Sequence, residues 1–393
     1  MQVPMSPHTR KNTDFGEDVI TCILSKLPVE SLLRFKIVHK SWCSIINDPN
    51  FIKLQIEESS SDINQQKILL ISSKIAPSPC LEYNMLVFNI GSTNASSLSA
   101  NSQVVSLQPP DFFMSRDVSY PLVSSCNGLL CMVCSFKIFI WNPAIQKYKI
   151  VQNPDPYVLK RVKSYESTLY GFAYDSINDD YNIVCTFVVN AKGSRYIVGI
   201  YSVNNEFWKK IDSIPAGYRL FDQNPVSLDG TVNMMATRSV QENGDSAFNK
   251  FAIVSLFVAD EKFVVTPIPL QYCGSHMKLS NFANRLYLSV FVEMDFLVCS
   301  LEKDGELWTW TNVMKSPTLG SSIGLGNHNC YLDDIVCLKE NEKILWRKTD
   351  GGFLEYDKRK EEVNEFTMNQ ISPATELSIL FAGSLASLRI PWD

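Results

Sequence analysis

The sequence predicts an α+β multidomain chain: a small N-terminal unit of three helices, then a large all-β domain closed as a six-bladed β-propeller. Three observations predict it. Helical periodicity is confined to residues 17 to about 54 of the 393. Beyond residue 66 nearly everything reads as short apolar runs separated by turn residues. Six Asn or Asp residues recur along that stretch at roughly even spacing. The expected division is a disordered tail at 1–14, a helical unit at 15–56, a linker at 57–66 and the β domain at 67–393.

In the first helix Val19, Ile20, Ile23, Leu24 and Leu27 form one apolar stripe at a 3.6-residue period. Asp14 with Glu17 three residues on reads as an N-cap and its reciprocal partner. Pro28 ends this helix and suits the first position of the next, because its missing N–H is not needed there. The second helix, from Val29 to Phe35, carries Leu32, Leu33 and Phe35. The third, about Ser41 to Ile46, carries Trp42, Ile45 and Ile46, and Asp48-Pro49 stops it. Helices this short do not stand alone in water, so they must pack on each other, on the rest of the chain or on a partner.

The polar run Glu57 to Asp62 reads as a boundary. After it, Ser- or Gly-rich interruptions fall at Gly91 to Gln103, Ser239 to Ala247 and Thr318 to Asn327, and Asn127-Gly128 and Asp350-Gly351 mark hairpins. The markers Asn89, Asn142, Asn204, Asp260, Asp304 and Asp357 lie 53, 62, 56, 44 and 53 residues apart. That spacing is close to the roughly 50 residues of a kelch-type blade. Size argues the same way, since single cores stop growing at about 250–300 residues. Radial repetition avoids the limit by giving each blade its own interface. Ring closure is expected between Lys67 to Ser72 and Leu377 to Arg389.

Composition narrows the function classes. The net charge is −5 and the pI about 5.6, which removes the basic footprint of a nucleic-acid binder. No apolar run approaches the roughly 20 residues of a membrane span; the best, Phe251 to Ala259, is strand-length and broken by Ser255. The polar N-terminus lacks a signal-peptide core, and eleven scattered cysteines fit free thiols in a reducing compartment. A soluble protein of the cytoplasm, the nucleus or both is expected.

The run Glu17-Asp18-Val19-Ile20 through Leu27-Pro28-Val29-Glu30-Ser31-Leu32-Leu33-Arg34-Phe35-Lys36 to Val38-His39-Lys40-Ser41-Trp42 resembles the F-box, in its plant form. Ile45-Ile46-Asn47-Asp48-Pro49-Asn50-Phe51 continues the likeness. Ser124-Ser125-Cys126-Asn127-Gly128-Leu129-Leu130-Cys131, Trp141-Asn142-Pro143-Ala144, Gly171 to Asp175, Asp180 to Val184 and Phe381 to Leu388 are similar to plant F-box-associated, kelch-like domains. The S-locus F-box proteins of pollen share this architecture. Phe15-Gly16 departs from the pattern, since many members have Leu-Pro there. Ile37 and His39 replace residues that are commonly small or Cys.

The resemblance implies a substrate receptor of an SCF-type ubiquitin ligase. A Skp-type adaptor would bind the F-box and bridge to a cullin, and the β domain would hold an unidentified substrate protein for ubiquitination and degradation. Leu27, Pro28, Leu32, Leu33, Val38 and Trp42 match the positions expected to touch the adaptor or support that contact. Periodicity alone leaves open which of these face a partner and which fill the small core, Leu24 and Leu33 being the first candidates for the core.

Catalytic chemistry is not expected, nor is a cofactor or a metal. Cys131 and Cys134 form a C-x-x-C, but residues three apart on a strand point to opposite faces, and zinc needs about four converging ligands. Cys273 with His276, and His328 with Cys330, are isolated pairs. Asp179-Asp180 and Asp333-Asp334 read as solvated turn residues, Gly324-Leu325-Gly326 lacks a phosphate-loop context, and Lys339 to Glu362 reads as an exposed mixed-charge surface. Two other readings stay open: an F-box scaffold working without the cullin, and a kelch-like enzyme with a site in its channel. Target-reading segments are sought at Asn153 to Ser167, Ala216 to Pro225, Ser239 to Ala247 and Thr318 to Asn329.

Overall fold

The structure is a computed structural model that describes residues 16–62, 65–75, 81–89, 105–107, 122–134, 137–154, 169–188, 196–221, 225–240, 248–282, 284–292, 295–304, 307–316, 332–339, 343–348, 353–366 and 375–392. Four helices, not three, open the chain: α1 (Glu17–Ser25), α2 (Val29–Phe35), α3 (Lys40–Asn47) and α4 (Pro49–Ser61). Asp48-Pro49 does stop α3, but it also starts α4. The Asp48 carboxylate accepts from the N–H groups of Asn50 (2.8 Å) and Phe51 (3.3 Å), and Pro49 takes the first helical position. The polar run after Glu57 is therefore the last turn of a helix, to Ser61. Its polarity is deceptive because Ser59 is buried, as is Gln55 one turn earlier. The N-cap of α1 is Gly16, with no side-chain cap, while Asp14 lies outside the described residues. Pro28 is the N-cap of α2, one position earlier than expected.

The β domain is a β-propeller made of six antiparallel sheets. The first holds β1 (Gln66–Ile75), β2 (Leu81–Asn89) and β3 (Val105–Leu107). The second is β4 (Leu122–Cys126), β5 (Leu129–Cys134), β6 (Lys137–Asn142) and β7 (Lys147–Val151). The third is β8 (Leu169–Asp175), β9 (Asp180–Val188), β10 (Tyr196–Ser202) and β11 (Phe207–Ile211). The fourth has five strands: β12 (Arg219–Leu220), β13 (Val226–Leu228), β14 (Thr231–Val240), β15 (Phe248–Phe257) and β16 (Lys262–Pro267). The fifth is β17 (Ser275–Phe282), β18 (Arg285–Val292), β19 (Asp295–Asp304) and β20 (Leu307–Ser316). The sixth is β21 (Leu332–Lys339), β22 (Lys343–Lys348), β23 (Phe353–Asp357) and β24 (Glu362–Phe366).

The last strand, β25 (Thr375–Ala382), returns to the first sheet and pairs with β1, Lys67 opposite Phe381 and Ser72 opposite Thr375. The closing pair is the one the sequence suggests, although the strand ends at Ala382 and residues 383–392 leave the sheet. The inner strands β25, β4, β8, β13, β17 and β21 neighbour one another in a closed ring.

Each sheet packs against two others, which explains its continuous apolar runs. Leu130, Met132, Phe139 and Trp141 face the first sheet, whereas Leu129, Cys131, Val133, Ile138 and Ile140 face the third. All six marker residues lie at or just beyond the end of a sheet's third strand, in the hairpin to the fourth. Their chemistry fits this place. The Asn142 side-chain oxygen accepts from Ala144 N–H (2.9 Å), and Asp357 accepts from Arg359 N–H (3.0 Å). Each of these two loops then closes on a left-handed residue, Gln146 or Glu361. Asn127-Gly128 makes the expected two-residue hairpin, both residues at positive φ, and Asp350-Gly351 lies outside the described residues. Among the described residues no helix is long and apolar enough to cross a membrane.

Candidate functional site

The helical unit has a small core of Leu24, Val29, Leu32, Ile45, Ile46 and Phe51. Ile20, Leu27, Leu33, Phe35 and Trp42 are partly buried against it, with the Phe35 and Trp42 rings edge to face at 5.4 Å. This core is too narrow to cover the whole stripe on α1. Val19 and Ile23, one turn apart, stay half-exposed, and Ile37 (88 %) and Val38 (61 %) project from the turn after α2. Scattered exposed hydrophobics are ordinary, but four within twenty residues of one small unit are a concentration of uncovered apolar side chains.

The six expected adaptor residues divide accordingly. Val38 and Pro28 are exposed, Leu27, Leu33 and Trp42 are half-buried, and Leu32 is fully buried in the helical core. Val19, Ile23 and Ile37 were not among them, though their exposure equals or exceeds that of most. The signal for the first two was the width of the stripe, five residues where a core of this size takes about half.

The unit is not loosely tethered. Residues 383–392 run between the helices and the propeller. Gln55 Nε2 donates to Gly383 O (3.4 Å), and Leu385 N–H donates to Gln55 Oε1 (3.3 Å). Leu385 completes the helical core, while Ala386 and Leu388 enter the core between the second and third sheets. Asn142, fully buried, donates to Ser384 O (3.2 Å) and Ala386 O (2.8 Å). A side chain at Gly128 would collide with Ser384, and its φ of 76° disfavours one anyway. Asp179 receives Lys53 of α4 (3.3 Å), Arg389 and the Tyr174 hydroxyl, and Asp180 is buried, accepting from Ser202 Oγ (2.5 Å) and Asn204 N–H (2.9 Å). This acidic pair is thus a structural tie, not a solvated turn.

Between α4 and the propeller mouth lies a cavity of about 1030 Å³, lined by Ile52 and Ile56 of α4 and by Asn127, Asp179, Asp229 and Asn284 in first-to-second-strand turns. These turns therefore share the face that carries the helices. On one side the channel is pinched, since Ser227 bonds Phe172 O and its hydroxyl lies 3.4 Å from that of Ser124. The strand ends that flank all four suggested target-reading segments point to the opposite face. Most residues of those segments lie outside the described ones.

No three His, Cys, Asp or Glu residues converge as a metal site among the described residues. Burial pushes the thiols of Cys131 and Cys185 up, which suits packing and not ligation. The side chain of His276, and all of His328, Cys330 and Gly324 to Gly326, lie outside the description. The charged stretch from Lys339 also differs from expectation. Glu355 (1 % exposed) and Asp357 are buried, held by Lys343 at 2.9 and 3.5 Å.

A profile described as the F-box domain matches residues 13–54, and one described as the F-box associated beta propeller domain matches residues 64–368. The chain belongs to the plant F-box protein family. The F-box/kelch-repeat protein At3g23880 of Arabidopsis thaliana is 26 % identical over 308 residues, covering 76 % of this chain and 78 % of the relative. The F-box protein At5g07610 of the same plant is 25 % identical over 261 residues, covering 59 % and 56 %. Among solved structures, TolB from Acinetobacter baumannii overlaps 84 % of this F-box chain and 71 % of its own at 10 % identity, with a TM-score of 0.40. An oligogalacturonate lyase in complex with manganese gives 0.41 at 9 % identity, over 80 % of this chain and 76 % of that one. Scores this low carry no functional weight.

Proposed function

We propose that this F-box protein is the substrate-recognition subunit of an SCF-type ubiquitin ligase and has no catalysis of its own. The single observation that carries this is the uncovered apolar surface of Val19, Ile23, Ile37 and Val38 on a helical unit that matches the F-box. A Skp-type adaptor covers it, with Pro28 at its edge and Leu27, Leu33 and Trp42 as half-buried support. Leu32 acts from inside the core. The adaptor brings the cullin, and rate enhancement comes from holding target lysines near the charged ubiquitin carrier.

The six sheets serve as six blades, and the target protein binds on the face opposite the helices. Strand ends on that face flank long connections, and a target there would point away from the adaptor. The F-box ends near residue 56 in its contacts with the adaptor, the rest of α4 acting as the joint to the propeller. Cytoplasm and nucleus both supply the machinery this reading needs.

The test is co-expression with a plant Skp-type adaptor and a cullin. The expected result is a complex of all three that a Val19→Asp/Ile23→Asp variant fails to form. Adaptor without cullin would favour a scaffold, and no adaptor binding by the folded wild type would overturn the reading.

A further inference from the structure

Some exposed cations on the propeller pair with an acid. Lys209 meets Glu261 at 2.8 Å, Arg285 meets Glu302 at 3.1 Å and Lys315 meets Asp295 at 2.6 Å. One rim holds two that do not. At the seam of the third and fourth sheets, on the face away from the helices, Arg219 and Arg238 are exposed and have no ion pair among the described residues. Arg238 lies directly opposite Lys250 in the β14–β15 register, a like-charge pairing that disfavours the sheet. Arg219 sits opposite Thr237, beside Arg238, on β12.

Aromatic rings stand among these charges. The Arg238 guanidinium lies 5.8 Å from the centre of the Tyr218 ring. Phe221 keeps 42 % of its surface exposed and leans edge-on against Phe251 at 5.7 Å. The scaffold beneath is firm: Leu220 N–H donates to the Tyr196 hydroxyl (2.8 Å), and Phe221 N–H to Met235 O (3.2 Å). Arg with Tyr and Phe is the composition of an interface centre. On a chain of net charge −5, a rim with two arginines unpaired among the described residues, the half-buried Tyr218 ring and the exposed Phe221 ring is complementary to one kind of partner.

We infer that this rim binds an acidic segment of the captured protein that carries an aromatic or aliphatic side chain. Carboxylates take Arg219 and Arg238 in two-pronged bonds, and the apolar side chain covers Phe221 and Tyr218. The inference rests on the reading of the far face as the capture face. A nucleic-acid strand is disfavoured, because three cations are few for a polyanion and the rest of the chain repels it.

The test uses the full chain and a labelled short peptide of glutamates interspersed with phenylalanine, read by fluorescence anisotropy. The acidic peptide saturates, its lysine counterpart does not, and added salt weakens the binding. An Arg219→Glu/Arg238→Glu variant binds at least about tenfold more weakly yet still binds the adaptor. Equal binding of both peptides, equal binding by the variant, or tighter binding of a single-stranded oligonucleotide would overturn the proposal. So would no binding of the acidic peptide by wild type. Adaptor binding, measured on the same samples, distinguishes that failure from failure of the ligase reading.

Discussion

Gln55 and Leu385 are 330 positions apart, yet the Leu385 N–H donates to the Gln55 side-chain oxygen at 3.3 Å. The same amide donates from its nitrogen to Gly383 O at 3.4 Å, so one buried side chain satisfies a donor and an acceptor of the segment that follows β25. α4 thereby reads the C-terminal segment as a β-strand would. Replacing Gln55 with Leu keeps the volume and leaves both backbone groups unpaired. The expected cost is about 1–3 kcal/mol, measured by urea denaturation, with faster protease cleavage within residues 383–392.

Asn142 makes the matching contact from the propeller side, donating to Ser384 O and Ala386 O while capping its own hairpin through Ala144 N–H. Asn142→Asp keeps the cap acceptor and sets a charge against two carbonyls. It should destabilise more than Asn142→Ala, by circular dichroism melts of both. An aspartate variant as stable as the alanine one would show that the two carbonyls find water instead.

The adaptor surface and the helical core make opposite predictions. Val19→Asp/Ile23→Asp changes half-exposed residues and should abolish adaptor binding with the melting temperature nearly unchanged. Leu32→Ala removes a fully buried side chain and should cost about 2–5 kcal/mol, weakening adaptor binding only through unfolding. Titration calorimetry beside thermal melts separates the two.

What the sequence made legible, and what it hid, follows from range. The marker residues Asn142 and Asp357 could be found because each acts within its own hairpin, on an N–H two residues away. The apolar stripe and the Pro28 and Asp48-Pro49 stops located three helices for the same reason. Asp48-Pro49 hid the fourth because a stop and a start share two residues. Gln55 carries no local signal, since its partners are 328 and 330 positions on. Val19 and Ile23 belong to the same stripe as the core, and only the packed unit shows which half of it stays uncovered. Glu355 misled in another way. Strands inside a stack of blades are buried on both faces, so a charge among them need not mark the surface.

Lys343 lies against that buried carboxylate and Asp357. Its ammonium is held above the ordinary value of 10.5, chiefly by the hydrogen bond to Glu355. Burial acts to raise the Asp357 carboxyl, but the Lys360 and Arg359 N–H groups and Lys343 outweigh it and hold it below 3.8. The Lys343 contribution is complete below pH 10.5 and is lost as pH rises through the elevated value. The Asp357 contribution is complete above pH 3.8 and is lost as pH falls through the depressed one. Stability from this cluster is therefore flat across neutral pH. Lys343→Met should cost about 2–3 kcal/mol, less than the 3–5 typical of a fully buried pair because Lys343 is 22 % exposed. A pH series of denaturation midpoints, wild type against variant, checks both magnitude and window.

Ring closure and strap are separable because they occupy successive stretches of the C-terminus. Truncation after Ala382 removes residues 383–393 and with them Leu385 from the helical core and Leu388 from the second–third sheet core. It leaves β25 paired with β1, so the β domain should keep a cooperative transition at a lower midpoint. Truncation before Thr375 also removes the inner strand of the first sheet. Leu69 and Ile71 then lose Phe381 above them, and β1 presents an unpaired inner edge to the neighbouring chain. That shorter chain should show no cooperative β transition and should self-associate, by circular dichroism melts and size-exclusion chromatography. If both truncations melt alike as monomers, β25 is not what closes the ring.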